Sequence, residues 1–314
     1  MKTKPETFSD QVRRCIKYSG KSLSEIAKAT KISHSGICHF MARRQGMTLE
    51  NLDKIAKLIG MKVSLVGESE RKLFLGDCLN ILPSLPEKSV DLILTDPPFG
   101  LTNNAWDKII PFGAMWEQLM KVAKPHAAII LFGAEPFTSK LICSNESMFK
   151  SRIIWRKNAP TGHLNAKKMP MRATEDICVF YDQQPTYNPQ KTTGHKPMAQ
   201  WVHKSQTPVY GKTKQGHTGG GNTDRHPVDI VEFDVVMGFG TSADGKRLHP
   251  NQKPLALLEY LIKTYSNVGD TVLDFCMGSG STGVAAKQTN RRFIGVESSK
   301  NYFEIAQARI EGAD

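Results

Sequence analysis

Leu92-Ile93-Leu94-Thr95-Asp96-Pro97-Pro98-Phe99-Gly100 is the stretch from which the chain is best read. An apolar run from Val90 to Thr95 ends on a carboxylate, two prolines and an aromatic. A short run rich in Leu and Ile, closed by a turn signal, predicts a buried strand. Pro97 and Pro98 donate no backbone hydrogen bond, so the strand stops there, and their fixed φ stiffens the loop. Asp96 and Phe99 are thus presented at a strand's C-terminal end, where open α/β sheets bind ligands. A carboxylate, a carbonyl freed from the ladder and a flat aromatic face suit a planar ring with an exocyclic amine. The competing reading is a plain Pro-Pro turn after a core strand.

Outward from this strand, the pattern alternates. Residues 72–75 read as a strand that delivers Gly76-Asp77, and 79–85 as a short helix. Residues 112–122 read as a helix, 127–132 as a buried strand followed by a helix near Glu135, and 153–156 and 177–181 as two further strands. Beyond residue 254 come a helix to 266, a strand over 271–275, a helix from Val284, a strand over 292–296 and a last helix over 301–310. Such alternation predicts an α/β fold with a doubly wound parallel or mixed sheet.

The strand over 271–275 runs into Asp274-Phe275-Cys276-Met277-Gly278-Ser279-Gly280-Ser281-Thr282-Gly283. Strand, Gly-x-Gly turn, helix and a second strand ending in an acid make a nucleoside-binding arrangement. The glycines let the backbone approach the ligand, and the acid accepts from ribose hydroxyls. Glu297 stands 17 residues after Gly280, at the expected strand end. A third glycine with GxGxxG spacing is missing, and Asp274 precedes the turn. A carboxylate there repels a pyrophosphate but can receive an ammonium, which favours S-adenosylmethionine over NAD.

Residues 1–66 read as a small helical unit. Val12, Cys15 and Ile16 give 8–18 a helical spacing. Ser22 with Glu25 three residues later predicts a capping box, Ser33 caps a helix over 34–41, and Thr48 opens one that Gly60 closes. Two short helices joined by a tight turn form a helix-turn-helix unit. A packing or dimerisation bundle is the alternative. Residues 1–70 carry thirteen basic and seven acidic side chains, a net +6.

Residues 182–248 are rich in Gly, Lys, Thr, His and Gln, with basic-aromatic clusters at Trp201-Val202-His203-Lys204 and Tyr210-Gly211-Lys212. Long irregular segments inside domains are usually functional or disordered. A basic segment bearing aromatics beside a catalytic loop suits a polynucleotide clamp.

Composition agrees with this organisation. The 314 residues suffice for about two domains. The net charge of +12 favours a polyanionic partner. The six cysteines include no CxxC pair and the nine histidines no HExxH, so neither a disulfide framework nor a metal site is expected. No apolar run approaches the roughly 20 residues that cross a bilayer, and the first ten residues lack a signal-peptide core. A cytoplasmic, non-membrane protein is expected.

At this point the chain resembles the β-group of DNA amino-methyltransferases. The Asp96-Pro97-Pro98-Phe99 motif comes first and an irregular target region second. His249-Pro250-Asn251-Gln252-Lys253-Pro254 follows, similar to the family's HPTxKP element, and then Asp274–Gly283, similar to its cofactor loop. The resemblance implies a Rossmann-like S-adenosylmethionine-dependent methyltransferase fold of circularly permuted motif order over 71–314, with 182–248 as target-recognition insertion. It implies that Asp96, Pro97, Pro98 and Phe99 carry catalysis. It implies cofactor contacts from Asp77, Cys78, Gln252 and Lys253. It adds Asp274, Phe275, Cys276, Gly278, Ser279, Gly280, Ser281, Thr282 and Glu297. No metal is implied. Glu175 follows Thr174 where the family often has His-Glu, and no catalytic role is assigned to it.

Residues 24–37 resemble the Cro/XRE-type repressors, in which Ser33, His34, Ser35 and His39 would face a major groove. Lys31 stands where that family usually has Gly, so an altered turn is expected. Lys204 and Lys212 are the expected DNA contacts of the insertion. The implied partner is double-stranded DNA, with a cognate restriction endonuclease and a homodimer as further expectations for a prokaryotic or phage-encoded chain. Asp rather than Ser at position 96 points to N6 of adenine. The alternatives are N4 of cytosine, a transcriptional regulator with an inactive methyltransferase domain, and an RNA substrate.

Overall fold

The computed structural model describes residues 9, 12–13, 16–17, 19, 21–59, 71–102, 104, 107–202, 218–236 and 252–313. The chain divides into two compact units, residues 1–67 and 68–314. Among the described residues no helix is long and apolar enough to cross a membrane.

The first unit holds α1 (Leu23–Thr30), α2 (His34–Met41) and α3 (Leu49–Leu58). Its helix starts follow the sequence. The Ser22 hydroxyl accepts from the Glu25 N–H, while the Glu25 carboxylate accepts from the Ser22 N–H. Ser33 and Thr48 cap the next two helices through the N–H groups of Gly36 and Asn51. Ile26, Ile37, Phe40, Leu52 and Ile55 close a small core with Val12 and Ile16. The turn between α1 and α2 is not altered by its lysine. Lys31 itself adopts the left-handed backbone, with φ 59° and ψ 26°. Most of the expected first helix, over 8–18, lies outside the described residues.

The second unit runs β1 (Arg71–Leu75), α4 (Cys78–Ile81), β2 (Val90–Thr95), α5 (Phe112–Val122), β3 (Ala123–Gly133) and α6 (Phe137–Cys143). Then come β4 (Phe149–Thr161), β5 (Arg172–Phe180), the short β6 (Trp201–Val202), β7 (Thr218–Gly219) and β8 (Ile230–Glu232). It ends with α7 (Leu255–Tyr265), β9 (Thr271–Asp274), α8 (Ser281–Gln288), β10 (Arg292–Glu297) and α9 (Lys300–Gly312). Eight strands form one sheet in the order β1-β10-β9-β2-β3-β5-β4-β8. The five from β1 to β3 are parallel, β5 is antiparallel to both its neighbours, and β8 is parallel to β4.

Both faces of the sheet are covered, which is why its strands read as continuous apolar runs. Ile93, Ile129 and Leu131 pack on one face with Met115, Trp116, Leu119, Phe137 and Leu141 from α5 and α6. Leu92, Leu94, Ile130 and Phe132 pack on the other with Leu258, Leu261 and Ile262 of α7 and with residues of α8 and α9. Each fully buried side chain of this kind contributes about 1.5–3 kcal/mol.

Two elements differ from the sequence reading. The strands expected over 153–156 and 177–181 are longer and form a hairpin, β4 with β5. Their outer parts carry Arg152, Arg156, Lys157, Arg172 and Glu175, so the apolar period seen in the central strands is lost there. The segment 182–248 was expected to be an irregular insertion, yet Ile230–Glu232 pairs with β4 at the sheet edge. Three residues are too few for a period-2 signal.

The site is positioned by the β2–β9 seam. Leu92 pairs with Val272 and Ile93 with Leu273. The chain leaves β2 for α5 on one face and β9 for α8 on the other, so the two C-terminal ends form a topological switch point. The Thr95 hydroxyl accepts from the Phe275 N–H at 3.2 Å, across 180 residues of sequence.

Candidate active site

Asp96 is the first residue beyond β2, followed by buried Pro97 and half-buried Pro98 and Phe99. Its Oδ2 accepts from Lys253 Nζ at 2.5 Å, and the same ammonium donates to Glu175 Oε1 at 3.1 Å. Lys157 Nζ lies 3.8 Å from the other Glu175 oxygen. The Lys253 ammonium also lies over the Phe132 ring at 4.9 Å and the Phe99 ring at 5.9 Å. Asp96 Oδ1 is buried and has no hydrogen-bond partner. Burial pushes the Asp96 carboxyl up to about 6, Lys253 pulls it down, and Glu175 and Asp107 add to the rise. Burial pulls the Lys253 ammonium down, but the two carboxylates outweigh it and hold it above its ordinary value.

Two neighbours fix the loop. Phe99 stacks on Phe137 with ring centroids 5.0 Å apart. Asp107 accepts from the N–H groups of Gly100, Leu101 and Thr102 at 2.7, 2.9 and 2.7 Å. Burial pushes Asp107 up, yet the Thr102 hydroxyl and these three N–H groups prevail and hold it below the usual carboxylate range.

The glycine turn lies beside this loop. Gly278 and Gly280 have φ of 52° and 79°, left-handed backbone that glycine enters at no steric cost. Glu297 anchors the turn, its Oε2 accepting from Gly278 N–H at 2.9 Å and its Oε1 from Ser299 N–H at 2.8 Å. Oε1 is also reached by the Ser298 hydroxyl at 3.5 Å, whereas Oε2 keeps a second lone pair. No side chain caps α8, so its first-turn N–H groups have no side-chain acceptor. Asp77 caps α4 by accepting from Leu79 N–H at 2.8 Å. Cys78 on α4 neighbours Cys276 in the turn, and this proximity together with burial pushes the Cys276 thiol well above its ordinary value.

Asp274 does not stand open to receive an ammonium, as the sequence reading expected. Only 3% exposed, it accepts from Cys276 N–H at 3.1 Å; burial pushes it up to about 7, against the lowering influence of the nearby Thr282 and Thr95 hydroxyls. It ties the turn to β2 instead. Ser279 and Ser281 likewise turn toward Arg309 of α9, whose Nη1 donates to Ser279 O at 2.5 Å and Ser279 Oγ at 2.9 Å. Lys253, expected among the cofactor contacts, is drawn to the two carboxylates. Gln252 is half-buried beside it, and Phe275 is buried in the core. In the first unit Ser33, His34, Ser35 and His39 are all exposed on or at the start of α2. Lys204, Lys212 and His249 to Asn251 lie outside the described residues.

Glu175, Asp107 and Arg309 are the site residues that spacing alone missed. Asp107 and Arg309 stand in no motif. Glu175 carried one signal, an acid on a strand that is otherwise apolar toward its end. Among the described residues no group of His, Cys, Asp and Glu is disposed to hold a metal ion.

A family model described as DNA methylase, of the N6/N4 methyltransferase type, matches residues 90–308. The chain is 30% identical over 255 residues to the Type II methyltransferase M.HpaI of Haemophilus parainfluenzae, covering 77% of this chain and 74% of that protein. It is 27% identical over 274 residues to the DNA adenine methyltransferase YhdJ of Escherichia coli K12, covering 81% and 87%. The crystal structure of the M1.HpyAVI–SAM complex superposes with a TM-score of 0.51 at 26% identity, over 76% of this chain and 98% of that one. With its Asp96 loop and glycine turn meeting at one switch point inside the matched region, the chain belongs to the DNA methylase family.

Proposed function

We propose that the chain is a site-specific DNA methyltransferase that moves a methyl group from S-adenosylmethionine to N6 of adenine in double-stranded DNA. The observation that carries this reading is the buried, unpartnered Asp96 Oδ1 at the end of β2, beside the glycine turn that follows β9. S-adenosylmethionine supplies an electrophilic methyl group on a sulfonium. The residues fit it. The N–H groups in the first turn of α8, which have no side-chain cap, suit its carboxylate, and the remaining lone pair of Glu297 Oε2 suits a ribose hydroxyl. The SAM complex of a relative adds support.

The amine of adenine is a weak nucleophile because its lone pair is delocalised into the ring. Asp96 Oδ1 and the Pro97 carbonyl would accept its two N–H bonds and free the lone pair for in-line attack. The N–CH3 bond forms as the S–CH3 bond breaks, the sulfide keeps the electron pair, and one amine proton leaves for water. Catalysis then rests on positioning and electrostatics. The target base must leave the duplex, at a cost of a few kcal/mol. Stacking on Phe99 returns about 1–3 kcal/mol of this.

Asp96 in first place and the similarity to YhdJ support adenine, while the family model is named for both N6 and N4 amines and keeps N4 of cytosine as the second reading. Mass spectrometry of nucleosides from duplex DNA methylated in vitro decides it. N6-methyladenine is expected, and N4-methylcytosine alone would overturn the choice. The exposed face of α2 supports major-groove contact by the first unit. M.HpaI being a Type II methyltransferase supports a cognate restriction endonuclease.

A further inference from the structure

Residues 175 and 253 meet at the acceptor loop, although β5 and the approach to α7 lie 78 residues apart. A buried ammonium beside two carboxylates needs a reason. Removing a charge from water costs several kcal/mol unless partners compensate it. Here the partners are arranged asymmetrically. Lys253 donates to one oxygen of Asp96 and not to the other, so Oδ2 is engaged while Oδ1 stays free and buried. Glu175 holds the ammonium from the far side, and Lys157 balances the second oxygen of Glu175. Two carboxylates and two ammoniums thus form a buried group of zero net charge, with a single acceptor oxygen left open.

That pattern meets two needs of an amine acceptor. Its carboxylate plane must be fixed so that the open oxygen points at one N–H. It must also stay ionised when the incoming base strips away the remaining water, because a protonated oxygen would no longer accept. We infer that Lys253, anchored by Glu175, is a positioning residue that fixes the orientation and the negative charge of Asp96. This inference rests on the methyltransferase reading above, and neither residue need touch substrate or cofactor for it to hold. The charged groups facing Asp96 are Lys253 before α7, Glu175 on β5, Asp107 in the loop before α5, and Asp274 on β9. Lys157 and Arg172 stand behind Glu175 and Lys253. Among the described residues Lys253 is the cation in contact with Asp96, so its removal leaves Asp96 facing Glu175, Asp107 and Asp274. Burial and Glu175 then both raise the Asp96 carboxyl.

The test compares the full-length protein with Lys253→Met, Lys253→Arg and Glu175→Gln, measuring single-turnover methylation of duplex DNA from pH 5.5 to 9.5 and cofactor affinity by calorimetry. Losing an opposite charge at contact distance moves a carboxyl by about one to three pH units. The acid limb of the Lys253→Met rate profile should therefore rise by that amount. Activity should be about twofold to a hundredfold below wild type near neutrality, according to the size of the shift, and recover toward higher pH. Lys253→Arg should restore the limb; Glu175→Gln removes a neighbouring negative charge and should lower the limb while reducing the plateau rate, because Lys253 loses its anchor; and cofactor affinity should change little in any variant. An unmoved acid limb overturns the inference. So does a loss confined to cofactor affinity, which would make Lys253 a cofactor group. A Lys253→Met rate above wild type would mark the ammonium as a mere occupant of the amine's place and overturn it too. If Lys253→Met does not fold, the limb of Lys253→Gln, which also removes the charge, decides the question in the same way. A wild type that methylates no DNA would instead refute the underlying methyltransferase reading.

Discussion

Asp96 sits under opposed demands, burial favouring its neutral form and Lys253 its charged one. As the amine acceptor it works only when ionised, so methylation should fall as pH drops through about 6. Asp96→Ala removes the acceptor outright. Its methylation rate is expected to fall by at least about 10²–10³, as when one group aimed at a transition state is lost. Cofactor binding, which the glycine turn and Glu297 provide, should survive. Single-turnover rates and calorimetry check both halves, and a near-normal rate would refute the role. At this scale Asp96, Phe99, Gly280 and Glu297 were legible because local sequence imposes their setting: a strand end, a Pro-Pro stop, a turn. Glu175, Asp107 and Arg309 were not. Glu175 and Arg309 act on residues far away in sequence, and Asp107 closes a loop that has no motif of its own.

Among elements, the turn from β9 into α8 is the most constrained. Gly280 is the N-cap of α8 at φ 79°, and a Cβ there would lie 2.9 Å from the Ala306 Cβ and 3.0 Å from its Cα. Gly280→Ala thus suffers twice, from a left-handed backbone and from contact with α9. A destabilisation of about 1–3 kcal/mol is expected, read as a lower midpoint in urea, together with weaker cofactor binding. An unchanged midpoint would show that α9 yields at no cost. Caps and apolar periods made most helices and central strands readable in advance. The hairpin of β4 and β5 escaped full reading because its outer half is polar. Lys31 was readable as a departure but not in its outcome. A left-handed lysine costs about 1–2 kcal/mol, which the packing of Ile26 and Ile37 into one core outweighs.

For the whole molecule, the division at residues 67 and 68 separates functions that the two units can be tested for. The second unit contains Asp96, Lys253, Glu175 and the glycine turn. The first contributes exposed polar and basic side chains. Removing residues 1–67 should leave cofactor affinity near wild type and weaken DNA binding, with a shallower dependence of log affinity on log salt, since fewer phosphates are neutralised. Fluorescence anisotropy over a salt series measures this, and an unchanged slope would exclude the first unit from DNA contact. Fold class was legible at this scale from alternation alone, whereas strand order was not. Periodicity says that a strand is buried and is silent on which strand lies beside it.

That order has a consequence for how the protein is made. β10 and β9 lie between β1 and β2 in the sheet, yet they are the last strands to be synthesised. At roughly 5–20 residues per second, the span of 180 residues between Thr95 and Phe275 leaves an interval of about 10–40 s. Through that interval β1 has no strand neighbour and β2 has only β3, one of its two. Unpaired edges of this kind invite the wrong partner. The seam that brings acceptor and glycine turn together is therefore also the point at which ribosome-bound chains most need a chaperone, and premature termination before residue 271 should yield insoluble fragments rather than a smaller folded domain.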